Sequence, residues 1–200
     1  MDPVKLDILN AALAEFAQVG FEGARIDAIA ARTDTSKRMI YYHFGNKEGL
    51  YAETLEHAYR VVRSGPPPSA HAELPPLQAL AAYAASVFDT FHAHPDFVRL
   101  VIQENLQGGR FVARSAAIRE MNQHTLGLLR QIVERGQAEG SMRPELQAIH
   151  VYINFIGLCH YNISSRHTYQ ALFDIDLTNP AVLAARKQAI CESIVRYVQP

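Results

Sequence analysis

The sequence predicts an all-α protein of about nine helices, with a small N-terminal helix-turn-helix unit and a larger C-terminal helical part. Three observations carry this. Apolar residues recur at helical spacing in every long segment, no run alternates with a strand's period of two, and the Pro- and Gly-rich stretches fall between the periodic segments. With 200 residues, 48% of them apolar, the chain has ample material for a substantial core.

From Pro3 to Val19, Leu9, Ala12, Leu13, Phe16 and Val19 mark one helical face, and Gly20 is placed to end the helix in a left-handed conformation before Phe21 returns to the core. A second helix over about 25–32 puts Ile26, Ile29 and Ala30 on one side. A third over about 36–43 turns Ile40 and the following Phe44 inward. Asn46 is a natural N-cap for a fourth helix reaching Arg63, with a stripe of Leu50, Tyr51, Leu55, Ala58, Tyr59 and Val62. Five prolines and a glycine between Ser64 and Pro76 predict a linker. Beyond it, Leu77, Leu80, Ala84, Val87, Phe88 and Phe91 predict a helix that stops at His94-Pro95. Further helices follow over about 96–107 and 113–139, closed by Gly108-Gly109 and Gly140. Pro144 is placed to open a helix to Ser164, and Asn179-Pro180 to cap a last one ending near Val198. The expected division is a helix-turn-helix domain over 1–50, a connecting helix over 47–63, and a C-terminal domain over 64–200.

The second short helix of the N-terminal unit carries the chemistry. From Ser36 to Lys47 the chain holds Lys37, Arg38, His43 and Lys47 with no acid, although the formal net charge of the whole is −1. That is a local basic surface of the kind that neutralises phosphates. Lys37 and Arg38 lie at the exposed end suited to base edges, Arg38 to guanine, while Met39 and Tyr41 suit thymine methyl groups or nearby backbone. Ser36, Tyr42, His43 and Lys47 offer hydroxyl, imidazole and ammonium donors to phosphates, and Arg25 can do the same from the second helix. One such unit covers little DNA, so a two-fold dimer on two half-sites is expected. The apolar faces Val151, Phe155 and Leu158, with Ile190, Ile194, Tyr197 and Val198, serve equally well as that interface or as internal core.

Polar residues set among apolar helical stretches in the C-terminal part suggest a small-molecule pocket, because buried polar groups need partners. They are His92, Gln103, Asn105, Arg110, Arg114, Asn154, His160, Tyr161, Asn162, Arg166 and His167. The Arg and His bias points to an anionic or carbonyl-bearing organic effector. Cys159 and Cys191 lack disulfide or metal-ligand spacing and read as buried thiols. Neighbours on a helix diverge by about 100°, so Cys159-His160 is no nucleophile and base. No nucleotide fingerprint is present, and neither catalysis nor a cofactor or metal is expected. No stretch of about 18 apolar residues could span a bilayer and no secretory leader opens the chain, so a cytoplasmic protein without membrane contact is expected.

Phe16, Gly20, Phe21, Ile26, Ile29, Ala30, Ser36, Tyr41, His43-Phe44, Lys47-Glu48 and Leu50 together resemble the N-terminal domain of the TetR family of transcriptional regulators. The resemblance is dense over about the first 60 residues and one of layout beyond. It implies an all-helical homodimer, most often a repressor, that binds a palindromic operator, with a C-terminal domain that binds an inducer and dimerises through its last helices. Two positions depart from the family pattern. Ala24 stands where a Thr is usual, leaving Arg25 for the phosphate contact, and Asp34 replaces the turn glycine, being more tolerant than most residues of a left-handed backbone. The alternative is a helical adaptor that binds protein without DNA.

Overall fold

The computed structural model describes residues 2–200. They form ten α-helices and two single 3-10 turns, with no strand among them. The helices gather into two compact units, one comprising the chain up to Val62 together with His94–Glu120, the other Arg63–Ala93 with Met121–Pro200.

In the first unit, α1 (Pro3–Gly23) begins where Asp2 accepts the backbone N–H of Val4 at 3.0 Å and Pro3 supplies a first-turn residue with no amide to satisfy. Gly20 interrupts the helix at a positive φ, as expected. At φ 71°, ψ 177° it kinks the chain, and helical turns resume to Gly23, returning Phe21 to the core. That backbone conformation is open essentially to glycine alone. It also lets α6 (Pro95–Leu106) approach closely, since a Cβ on Gly20 would stand 2.9 Å from Gln103 Oε1. Next come α2 (Ile26–Ala30), α3 (Lys37–Phe44) and α4 (Lys47–Arg63). Ile8, Phe16, Ile29, Ile40, Leu50 and Tyr51 are fully buried between them. Phe16 and Phe111 meet Tyr51 edge-on, with centroids 4.8 and 4.7 Å away. Glu104 of α6 is 1% exposed, its Oε1 accepting the amides of Phe111 and Val112 at 2.7 and 3.1 Å. A buried carboxylate is tolerable only with donors of this kind.

In the second unit, α5 (Pro76–Ala93) buries Leu80, Tyr83, Ala84, Val87 and Phe91 beside α8 (Ala148–Ser164) and α10 (Pro180–Val198). The Pro-rich stretch holds a 3-10 turn over Pro68–His71, and the Arg135 guanidinium of α7 (Ala116–Ala138) donates to the carbonyls of Ala72 and Leu74. Two expectations need correction. Pro144 does not open α8: the Gln137 amide donates to the carbonyls of Arg143, Pro144 and Leu146 at 2.9 to 3.2 Å, holding this stretch as a loop until Ala148. An unexpected helix, α9 (Arg166–Phe173), brings the total to ten, closed by Asp174 at φ 53°. Gly140 ends the α7 segment and Asn179 caps α10 through the Ala181 amide, both as the sequence predicts. No helix among the described residues is long and apolar enough to cross a membrane.

Gly20→Ala should cost about 1 to 3 kcal/mol for the left-handed backbone alone, beyond any displacement of Gln103. A urea titration of the full chain measures it, and an unchanged midpoint would remove the kink from the account.

Candidate nucleic-acid interface

The recognition helix is short, so its placement depends on its ends. Ser36 caps α3 by accepting the Met39 amide at 3.3 Å, and Gly45 closes it at φ 73°. Ile40 and Phe44 are buried, and they fix the rotation of the helix. Asn46 Oδ1 accepts the Gly49 amide at 2.8 Å, starting α4 at once. A Cβ on Gly49 would lie 2.2 Å from the Phe44 carbonyl oxygen, so glycine is what allows the two helices to abut.

The opposite face is open. Tyr42 is 78% exposed, Tyr41 and Met39 are exposed beside it, and Arg38 has no acidic partner among the described residues. Five exposed residues, Lys37, Arg38, Met39, Tyr41 and Tyr42, stand on a helix anchored by two apolar ones. Lys37 differs from expectation: its ammonium pairs with Asp27 of α2 at 2.9 Å, which raises its pKa through the hydrogen bond and the charge. In the free protein Lys37 is therefore not an open donor, and Arg38 is. Ser36 is occupied as a cap. Lys47 reaches back to the Glu22 carbonyl at 3.3 Å and lies over the Phe21 ring, and His43 stands half-buried against Tyr42. Arg25 starts α2 with an exposed side chain, while its amide donates to buried Glu15 at 3.4 Å; Glu15 also pairs with Arg32. Ala24, in the place of a capping Thr, is buried. The left-handed turn expected of Asp34 is absent, because Asp174 is the one non-glycine with positive φ among the described residues. The turn instead continues right-handed from Ala31, with Thr33 Oγ1 donating to the Ala30 carbonyl.

The polar residues expected to form an effector pocket do not converge. Gln103, Asn105, Arg110 and Arg114 belong to the first unit. Gln103 fills the space over Gly20, Asn105 donates to the Val101 carbonyl, and Arg110 pairs with Glu48 while stacking on Phe21 and Phe111. Arg114 edges a shallow 380 Å³ depression with Glu48 and Glu56. In the second unit, Asn154 is exposed, Arg166 and His167 bond to each other at the surface, and His160 meets the Phe91 ring edge-on. Burial pushes the His160 pKa down to about 4 and the Cys159 thiol up to about 12. A neutral imidazole beside a protonated, fully buried thiol makes no nucleophilic pair. His92 hydrogen-bonds Asn162, and Tyr161 and Asn162 line one groove.

The expected dimer faces are also corrected. Val151, Phe155, Ile190, Ile194 and Val198 are at most 2% exposed and form the core of the second unit, so none is available to a partner. Leu158 is half-buried, and Tyr197 remains at the surface. The outward apolar residues of α8 are instead Ile149, Ile153 and Tyr161, on the opposite side of the helix. Asp27 and a cluster around Arg63 join the functional residues without any signal in the sequence pattern. At the last residue of α4, Arg63 Nη2 donates to Asn122 Oδ1 at 2.5 Å and to the Tyr152 hydroxyl at 2.6 Å. No periodicity reveals such a cluster, whose members stand 59 and 89 residues from Arg63.

A capped, two-point-anchored helix with an open basic and aromatic face, preceded by a short helix across a tight turn, defines a helix-turn-helix DNA-binding protein. The chain belongs to the TetR family of bacterial transcriptional regulators: residues 8–54 match the family's DNA-binding domain (Bacterial regulatory proteins, tetR family) and residues 76–194 match a tetracyclin repressor-like C-terminal domain. It is 35% identical over 178 residues to the HTH-type transcriptional repressor NicS of Pseudomonas putida, covering 89% of this chain and 84% of that one. The solved structure of SCO4942 from Streptomyces coelicolor superposes with a TM-score of 0.74 at 26% identity, over 98% of this chain and 99% of that one. FadR of Bacillus subtilis, solved with stearoyl-CoA, shares the fold at a TM-score of 0.67 and 16% identity, over 97% and 99% of the two chains.

His160 makes stability pH-dependent. Its folded pKa lies below the unfolded value of 6.5, so the unfolded chain binds the proton first, and stability present above pH 6.5 is lost as pH falls toward 4. The loss should reach up to about 3 kcal/mol. Urea unfolding of the parent and His160→Gln at pH 7.5, 6 and 5 checks it; parallel curves would show that His160 does not contribute.

Proposed function

We propose that this protein is a repressor that binds a palindromic operator as a homodimer and is released by a small organic effector. The observation that carries the reading is the open face of α3, where Arg38, Tyr41 and Tyr42 stand exposed on a helix held by Ile40 and Phe44. Residues 1–50 read DNA, α4 connects, and the chain from 64 onward carries dimerisation and effector binding, with His94–Glu120 buttressing the reader. Arg38 reads a base edge in the major groove, and Met39 and Tyr41 supply apolar contact beside it. Arg25, Tyr42, His43 and Lys47 hold the backbone and set register, with Ser36 positioning the helix from its cap. Lys37 exchanges Asp27 for DNA on docking, which is feasible because both groups are exposed.

Dimerisation uses the outward side of α8, where Ile149, Ile153 and Tyr161 are exposed, together with the exposed Ala184 and Gln188 of α10. Release follows if the effector favours the dimer arrangement whose reading helices no longer match the half-site spacing. The path runs from α8 through Tyr152 to Arg63 and along α4 to its junction with α3. The match to NicS, a repressor, supports the direction of control.

Retardation of a fragment carrying the gene's own promoter tests the reading. Arg38→Ala should weaken operator binding by about 1 to 3 kcal/mol and relax sequence preference. Arg25→Ala should weaken all DNA alike and flatten the slope of log K against log salt by about 0.9. No affinity for that fragment at low salt would favour a protein-binding adaptor instead. Ile153→Asp should convert the dimer to monomer in light scattering without unfolding the chain; a retained dimer would move the interface elsewhere.

A further inference from the structure

The second unit contains a groove of about 790 Å³ between the end of α8, α9, the loop that follows it and the first half of α10. Its walls are apolar, with Leu158, Leu177 and Val182 prominent. Tyr161 and Tyr169 close one side with rings 6.0 Å apart and nearly perpendicular. This is the size and character of a site for a small organic molecule.

Two polar groups in the same walls lack partners. His92 Nδ1 lies 2.8 Å from the Phe88 carbonyl, an acceptor, so Nδ1 carries the proton, and in the neutral ring Nε2 is an acceptor. Asn162 must then present its NH₂ to Nε2, 2.9 Å away. That fixes the amide orientation and leaves Asn162 Oδ1 without a donor, in a side chain only 3% exposed. Buried carbonyl oxygens are rarely left so. The second group is Arg186, half-buried in the wall with no carboxylate partner among the described residues. A guanidinium presents two parallel donors matched to a carboxylate.

We infer that this groove is the effector site and takes a planar, largely apolar organic carboxylate bearing one hydroxyl or amine, with the carboxylate on Arg186 and the donor on Asn162 Oδ1. Each feature of the ligand answers one feature of the groove. Walls of Leu158, Leu177 and Val182 with two tyrosine rings suit an aromatic body, Arg186 supplies the compensating charge, and the Asn162 oxygen calls for a donor rather than a second acceptor. Because Tyr161 and Asn162 are on α8, the same helix that carries Tyr152, occupancy bears directly on the Arg63 anchor. The inference rests on the reading of the protein as effector-responsive.

Calorimetric titration of the full chain, without DNA, with 4-hydroxybenzoate, benzoate and phenol tests it. 4-Hydroxybenzoate should bind at least about tenfold more tightly than either probe lacking one group. Arg186→Met should erase the advantage over phenol, and Asn162→Ala the advantage over benzoate, with far-UV circular dichroism showing both variants folded. Since Arg186 is only half-buried, its variant keeps the test open even where Asn162→Ala unfolds the core. Equal affinities for the three probes, no binding at millimolar concentration, or an Arg186→Met variant that discriminates like the parent would each overturn the groove. Operator binding that persists in those cases leaves the regulator reading standing, whereas absence of operator binding with discrimination intact counts against that reading alone.

Discussion

Arg63 ends α4 in a charged anchor, and the end of that helix is held by it. Its guanidinium donates to Asn122 of α7 and Tyr152 of α8, with no carboxylate partner among the described residues, while the other end of α4 starts against the recognition helix at Asn46 and Gly49. Hydrogen bonds to a charged group are among the stronger ones, on the order of 1.5 to 3 kcal/mol each. Between these two points α4 runs unbroken for 17 residues.

The reading helix illustrates a different economy. Eight residues are too few to be stable alone, so α3 exists because its cap, its Gly45 exit and the burial of Ile40 and Phe44 hold it. Once it is held, Arg38, Met39, Tyr41 and Tyr42 remain exposed for recognition. The Lys37–Asp27 pair fits this division: it parks a cation on the neighbouring helix, leaving Arg38 as the open charge. The basic patch is thus smaller in the free protein than residue counting suggests, and part of it must be released on docking.

Much of the fold was legible in the sequence because it is written in local periodicity and in caps. Asn46 and Asn179 start their helices where the sequence placed them, and the helix-turn-helix follows from Ile26, Ile29, Ile40 and Phe44. What escaped is what long-range contact decides. Residues 144–147 stay a loop because Gln137 captures the carbonyls of Pro144 and Leu146. At eight residues α9 is too short for a periodic pattern to mark, although Tyr169, Leu172 and Phe173 stand at i, i+3 and i+4, and it buries no side chain. On α8 and α10 the strongest apolar stripe marked the core, and the outer face had to be read from exposure. The same limit scattered the effector residues: isolated polar letters cannot say which of them face one cavity, and Arg186 and Tyr169 carried no signal until the groove united them.

The central claim is that the state of the second unit reaches the recognition helix through Arg63. Hydrogen–deuterium exchange on the full-length parent and on Arg63→Met tests it most directly. The account predicts faster amide exchange around Tyr152, along the last turns of α4, and at 44–50 where α3 meets α4. A variant whose exchange changes only near residue 63, with 44–50 as protected as in the parent, would contradict it.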